Sequence, residues 1–202
     1  METRIKHLRW GAASRPKLAG PSGDAWLVLP RSEGVLVAAL DALGHGPRAA
    51  ASAARACDLI TADPGLPLER ILQRCHRGLQ GTRGVAIAAA VIDESRETMS
   101  WLGLGNVQGW LHRAGTGGAE VRPLLMRSGI VGRVLPALVV ERVRFAPHDT
   151  LILATDGIAA EVIDGFSSGA SPERDAERLL KRHFRGDDDG LVLVVCFDGV
   201  DE

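Results

Sequence analysis

The chain has 202 residues, of which 46% are hydrophobic and 24% are charged, and its formal net charge is −1. This composition is that of an ordinary globular domain and excludes a disordered or fibrous protein. The small net charge gives no sign of a nucleic-acid partner, and the length predicts a single domain over residues 1–202.

The apolar stretches are short, and they predict a cytoplasmic protein without a membrane partner. The longest ones, such as 191–197, fall well below the roughly 20 residues that span a bilayer. The N-terminal ten residues contain no apolar core of signal-peptide length. Three cysteines, Cys57, Cys75 and Cys196, have no CxxC spacing and predict reduced, buried thiols.

In chain order, the apolar runs 25–30 and 34–40 flank the turn-forming segment 31–34 and predict a hairpin of buried strands. A helix is predicted from Pro47 through the alanine-rich stretch to residue 61, because proline suits the first helical position and alanine favours helix. A second helix is predicted at about 66–80, and both helices are expected to cover one face of a sheet.

From residue 84 onward the pattern favours strands, at 84–93, 98–104, 107–112 and 120–124, with a glycine-rich turn at 115–118. Two more strands are predicted at 137–145 and 150–155, and a last one at 190–197. A third helix is predicted at about 171–184, with Ser171 as N-cap and Pro172 as its first residue. Together these elements predict an α+β fold with helices outside two antiparallel sheets.

Four aspartates stand at the ends of predicted strands: Asp24, Asp41, Asp156 and Asp188. Burying an ionised carboxylate is costly unless it is paired, hydrogen-bonded or bound to a cation. A single aspartate at a strand end is usually a turn or cap residue. Four of them at one edge would instead form an all-oxygen site suited to Mg²⁺ or Mn²⁺.

The motifs that contain these aspartates resemble those of the metal-dependent PPM-type serine/threonine protein phosphatases. They are SGDAW at 22–26, ALDALGHG at 39–46, ATDGI at 154–158 and DDDGLVLVV at 187–195. The resemblance covers residues 11–197 and is to the bacterial branch that contains the sporulation stage II phosphatase and the stressosome feedback phosphatase RsbX. It implies a four-layer α-β-β-α sandwich.

The resemblance also implies a two-metal site loaded with Mn²⁺ or Mg²⁺. Asp41 would bridge both ions, Asp156 and Asp188 would complete the first position, and Asp24 with the main-chain carbonyl of Ala42 would hold the second. Asp41 and Asp156 would be the catalytic residues, and the nucleophile would be a metal-activated water. Since three aspartates are consecutive, Asp187 and Asp189 stay open as alternatives to Asp188.

The implied function is hydrolysis of phosphoserine or phosphothreonine on a partner protein, and the implied partners are STAS-domain proteins of a stressosome pathway. Two positions depart from the family pattern: Ala42 replaces a glycine and Leu191 replaces a threonine. They favour an alternative, a catalytically weak phosphatase-fold binding module, and a second alternative is a hydrolase of small phosphoesters. His45 is either a general acid or an exposed loop residue, and Arg133 either meets a phosphate or acidic partner or is simply solvated.

Overall fold

Two β-sheets form the centre of the molecule in the computed structural model, which describes residues 4–5, 7–113, 120–169 and 171–198. The strands within these ranges are β1 (Arg4–Ile5), β2 (Leu8–Arg15), β3 (Asp24–Pro30), β4 (Val35–Ala42), β5 (Val85–Asp93), β6 (Thr98–Leu104), β7 (Gln108–Arg113), β8 (Glu120–Pro123), β9 (Met126–Arg127), β10 (Glu141–Arg144), β11 (Thr150–Ala154) and β12 (Gly190–Phe197). The helices are α1 (Pro47–Thr61), α2 (Leu68–Gly78) and α3 (Pro172–His183), with a 3₁₀ helix at Ala160–Ile163.

The first sheet has the strand order β1-β2-β12-β11-β7-β8, and the second has the order β10-β6-β5-β4-β3. Neighbours within both orders are antiparallel, as expected. The short β9 adds one parallel pairing to the end of β6. The apolar faces of the two sheets meet in a shared core that contains Trp101, Leu111 and Leu191.

Helices cover the outer face of each sheet, which confirms the four-layer α-β-β-α sandwich. Helices α1 and α2 bury Ala53, Ile60 and Leu72 against the outer side of the β3–β6 sheet. Helix α3 and the 3₁₀ helix bury Leu179 and Val162 against the other sheet. The sandwich is explained by amphipathic elements, each of which buries its apolar face against the next layer.

The helix predictions from proline and capping residues are confirmed. Helix α1 begins at Pro47, directly after Gly46, whose φ of 77° a residue with a side chain rarely adopts. Helix α3 begins at Pro172, and the Ser171 hydroxyl accepts a hydrogen bond from the backbone N–H of Arg174. Helix α2 ends at Gly78, two residues before the predicted end.

The predicted strand at 137–145 is only half right, because strand β10 begins at Glu141. Strand β10 pairs with the first half of β6, up to Trp101, whereas β9 occupies the edge beside Gly103 and Leu104. Residues 137–140 therefore have no free strand edge to pair with. The predicted glycine-rich turn at 115–118 lies outside the described residues.

The first strands and the thiols also differ from the prediction. Strand β2 is not among the predicted strands, because its segment LRWGAASR lacks both alternation and β-branched residues, yet it pairs with β12 along its full length. Cys75 and Cys196 are buried free thiols as predicted, but Cys57 is only half-buried. Among the described residues, no helix has the length and apolar character needed to cross a membrane.

Candidate active site

Two of the predicted site aspartates, Asp24 and Asp41, face each other on one edge of the second sheet. Asp24 is the first residue of β3, and it pairs directly with Asp41 near the end of β4. Directly opposed residues on antiparallel strands have Cβ atoms about 4.5–5.5 Å apart. The strand register therefore brings two carboxylates together in a region where Asp41 is only 8% exposed.

Asp156 and Asp188 come from the facing sheet. Asp156 follows the end of β11 and Asp188 precedes β12, and these two strands are antiparallel neighbours. The two chain segments approach so closely that a Cβ atom on Gly157 would lie 2.0 Å from the carbonyl oxygen of Asp189. Glycine after Asp156 is thus required for the two strand ends to meet.

Two side chains that sequence analysis missed connect the sheets at this edge. The Asn106 amide, in the turn between β6 and β7, donates to Oδ2 of Asp41 at 2.9 Å and to Oδ2 of Asp156 at 2.6 Å. The Thr155 hydroxyl donates to Oδ2 of Asp24 at 2.7 Å. These bonds join Asp24 and Asp41 of one sheet to the segment 155–156 of the other. Asp188 lies close enough for its charge to raise the pKa values of Asp41 and Asp156.

The three consecutive aspartates have different environments. Asp187 is exposed and forms an ion pair with Arg185. Asp189 is buried, and its two carboxylate oxygens accept from the backbone N–H groups of Lys17 at 2.8 Å and Gly23 at 2.7 Å. Asp188 is half-buried, and the one bond described for its carboxylate is local, from the N–H of Asp189 to Oδ1. This arrangement favours Asp188 as the ligand and gives Asp189 a structural role.

Burial is the largest cause that raises the pKa of Asp24 to about 8; the charges of Asp41, Asp189 and Asp156 contribute to the rise, and the hydrogen bond from Thr155 opposes it. Burial likewise raises the pKa of Asp41 to about 7, with Asp156 as the next cause. The pKa of Asp156 is also raised by burial, while its bond from Asn106 lowers it. The site therefore gathers carboxyl groups whose ionisation is costly unless a cation neutralises them.

The two departures from the family pattern are accommodated without strain. Ala42 is fully buried in β4 and does not have a positive φ, a conformation that only Glu97 and His148 adopt among the described non-glycine residues. Leu191 is also fully buried, in the core between the sheets. Its backbone N–H donates to the Thr155 hydroxyl at 2.9 Å, so a hydroxyl at residue 155 is available beside Asp24.

The main-chain carbonyl of Ala42 lies beside Gly23, the residue that precedes Asp24. A Cβ atom on Gly23 would lie 3.0 Å from the carbonyl oxygen of Gly44 and 3.1 Å from that of Ala42. The backbone N–H of Ala42 donates to the Gly23 carbonyl at 3.1 Å. Gly23 thus leaves open a small space, lined by these two carbonyl oxygens and by the Ala49 methyl group at 2.9 Å, that any side chain would fill.

The donor set fits a hard divalent cation. Within the described part of the chain, none of Asp24, Asp41, Asp156 and Asp188 forms an ion pair with a basic side chain. Oδ1 of Asn106 is buried beside them without a described hydrogen-bond partner. Oxygen donors with uncompensated negative charge are the ligands that Mg²⁺ and Mn²⁺ prefer.

Although these oxygens suit a cation, the side chains of Asp24, Asp41 and Asp156 are oriented here by hydrogen bonds from N–H and O–H groups. In the ranges that the structure describes, no three His, Cys, Asp or Glu side chains already stand in a metal-holding group. His45 is exposed, as the simpler of its two interpretations predicted. Asn106 is one of these hydrogen-bond donors, since its amide spans Asp41 and Asp156.

The chain matches one family of known proteins. The family model described as stage II sporulation protein E (SpoIIE) matches residues 31–198. A comparison with curated protein sequences gave no match. The matched range contains three of the four site aspartates, and Asp24 precedes it.

Solved structures share the fold over nearly the whole chain. One, described as the bacterial stressosome, a modular system adapted to control secondary messenger signalling, is 26% identical with a TM-score of 0.82 and covers 93% of this chain and 98% of its own. RsbX in complex with magnesium is 21% identical with a TM-score of 0.83, and the match covers 96% of this chain and 98% of the RsbX chain. The serine/threonine phosphatase PstP with two manganese ions is 16% identical with a TM-score of 0.72, covering 94% and 97%.

Proposed function

The chain belongs to the SpoIIE family of PPM-type protein phosphatases, and from this premise we propose that it is a metal-dependent enzyme that hydrolyses phosphoserine or phosphothreonine on a partner protein. We propose that residues 1–202 act as one phosphatase domain in the cytoplasm. The observation that carries the proposal is the convergence of four aspartates from both sheets on one edge.

The residues that would hold Mn²⁺ or Mg²⁺ are the carboxylates of Asp24, Asp41, Asp156 and Asp188, together with the main-chain carbonyl of Ala42. When bound, such ions lower the pKa of water and neutralise charge on a phosphoryl group. The magnesium in RsbX and the two manganese ions in PstP support this choice of metals.

The chain's own contribution is to position these oxygens. Asp41 is held by the β3–β4 register on one side and by Asn106 on the other. Asp189 anchors the segment before β12 to the backbone at Gly23, which precedes Asp24 in the chain. Groups fixed in this way orient ligands before substrate arrives, which lowers the reorganisation that the reaction requires.

For the partner, we propose a phosphorylated STAS-domain protein of a stressosome pathway, without nucleic-acid or membrane partners. The similarity to the stressosome structure and to RsbX supports this choice by analogy of fold. The absence of a strong net charge agrees with a protein substrate.

The decisive experiment measures phosphate release from a phosphorylated STAS-domain protein with Mn²⁺ and with a chelator. Asp41→Asn and Asp156→Asn should each reduce the rate by at least about 100-fold, since each removes a ligand charge. Asp164→Asn, an exposed aspartate beside the 3₁₀ helix, is the matched control and should retain activity.

Other outcomes would redirect the proposal. Binding of the phosphorylated partner without any turnover would refute it in favour of the binding module. Turnover restricted to p-nitrophenyl phosphate, with the phosphoprotein untouched, would favour a hydrolase of small phosphoesters. Equal release with Mn²⁺ and with the chelator would exclude metal dependence.

A further inference from the structure

A groove of about 950 Å³ runs along helix α1 beside the loop that follows Asp41. Its charged lining consists of Arg48, Arg55, Arg83 and Arg133, with Asp58 as the single acidic residue. We call these four arginines and the space between them the basic groove. Four positive charges against one negative charge leave a clear excess, although the whole chain has a net charge of −1.

The basic groove begins at the candidate active site. The Arg83 guanidinium donates to the carbonyl oxygen of Leu43 at 3.3 Å, two residues after Asp41. The backbone N–H of Leu43 donates to the carbonyl of Gly84 at 3.2 Å, so the two loops are fastened together. A Cβ atom on Gly44 would lie 2.3 Å from the Arg83 guanidinium. A peptide in the groove would therefore reach the loop that directly follows Asp41.

The charges of the basic groove are not neutralised within the chain. Among the described residues, its four arginines form no ion pair, and neither does Asp58. Arg55 donates to the Gly78 carbonyl at 2.6 Å, which fixes its guanidinium without removing its charge. Arg48 and Arg133 are exposed and have no described side-chain hydrogen bond. Like charges gathered in one concave surface repel one another unless an anion binds there.

The chemistry of the lining identifies the anion. Arginine stays charged and presents a planar set of donors that matches carboxylate and phosphate groups. Between the arginines, the exposed Ala51 and Ala54 leave room along α1 for an extended chain. We infer that the basic groove docks an acidic segment adjoining the phosphorylated residue of the partner protein. This inference rests on the proposed phosphatase function and names how its substrate is selected.

The test uses two synthetic phosphoserine peptides that differ only in whether the flanking residues are glutamate or glutamine. The wild-type chain should prefer the glutamate peptide, and Arg48→Gln combined with Arg133→Gln should lower that preference. Exposed charge pairs are weak individually, so we expect a loss of about 5- to 20-fold in kcat/KM for the glutamate peptide, mainly through KM. Hydrolysis of p-nitrophenyl phosphate and of the glutamine peptide should stay within about twofold.

The matched control removes the same two charges from the opposite outer layer. Arg174 and Arg182 are exposed on α3, without a described side-chain bond, and Arg174→Gln combined with Arg182→Gln should leave the preference unchanged. An equal loss in this control would overturn the inference, because it would indicate a general effect of net charge. An equal loss on both peptides in the groove variant would also overturn it.

Binding separates this inference from the proposed function. Fluorescence anisotropy of the labelled peptides with the 202-residue Asp156→Asn variant measures docking without turnover. Preferential binding of the glutamate peptide that is lost in the groove variant would support the inference even if the wild-type chain released no phosphate. Equal binding of both peptides by the Asp156→Asn variant with an unaltered groove would overturn the inference. Displacement of the peptide by an oligonucleotide of equal charge at equal concentration would also overturn it.

Discussion

The metal-free protein should lose stability as the pH rises from about 6 to 8, because the folded state holds protons on Asp24 and Asp41 that the unfolded chain releases. Their pKa values in the folded protein are about 8 and about 7, whereas an unfolded aspartate has a pKa of about 3.9. Folded-state values above the unfolded value give stability that is present at low pH and lost as the pH rises through the folded value.

The expected size follows from these two groups. Between about pH 6 and pH 8, a carboxylate with a folded pKa of about 8 loses about 2 kcal/mol and one with a pKa of about 7 loses about 1 kcal/mol. Together they give about 3–4 kcal/mol, which for a domain of this length corresponds to a fall in Tm of about 6–16 °C. Adding Mn²⁺ should restore stability, and more so at pH 8, where protons no longer compete for the oxygens.

The assay is thermal unfolding in a chelator at several pH values, for the wild-type chain and for Asp24→Asn combined with Asp41→Asn. The double variant keeps the side-chain shapes but cannot ionise, so its Tm should be nearly independent of pH in this window. It should also exceed the wild-type Tm at pH 8. A wild-type Tm that rises between pH 6 and 8, or a double variant with the same slope as the wild type, would refute the reasoning.

Three further predictions separate the roles of residues around the site. Asp188→Asn should weaken Mn²⁺ binding by 10-fold or more, on the order of a lost ligand contact. It should not lower the metal-free Tm, because it removes a charge that repels Asp41 and Asp156. Asp189→Asn should instead cost about 1–3 kcal/mol of stability, because it loses a backbone-bonded oxygen; calorimetric Mn²⁺ titration and thermal unfolding measure both effects. Asn106→Ala should reduce kcat by about 10- to 100-fold, because the Asn106 amide orients the carboxylates of Asp41 and Asp156. An unchanged kcat would contradict this role. Gly23→Ala should cost about 1–3 kcal/mol through overpacking, while Gly65→Ala, whose Cβ would meet only one atom at 3.5 Å, serves as the neutral control in denaturant unfolding.

The fold could be predicted from the sequence wherever a local signal was strong. Helices α1 and α3 begin where Pro47 and Pro172 stand, and β12 coincides with an uninterrupted apolar run. Strand β2 could not be predicted, because its place in the sheet depends on pairing with β12 and not on its own periodicity. Residues 137–140 look like a strand locally but find the adjoining strand edge occupied by β9.

The site shows the same division between local and long-range information. Its aspartates could be found because each ends or begins an apolar run. Asn106 and Thr155 could not, since an asparagine or a threonine just after a strand is ordinary in turns. Their roles depend on contacts with residues 50 or more positions away. The position of Thr155 directly before Asp156 was the one local signal available.

The pairing of Asp24 with Asp41 is decided at the far end of their hairpin, roughly 20 Å away at 3.3 Å per strand residue. There the four-residue connection closes with the N–H of Arg31 donating to the Gly34 carbonyl at 3.0 Å. Gly34 has a φ of 88°, and a Cβ atom there would lie 1.9 Å from the carbonyl oxygen of Ile92 on the next strand. Because a slip of one residue turns every side chain of a strand to the opposite face, this turn is what keeps both carboxylates on the same face. The sequence RSEG between the two apolar runs is therefore as necessary to the candidate metal site as the aspartates themselves.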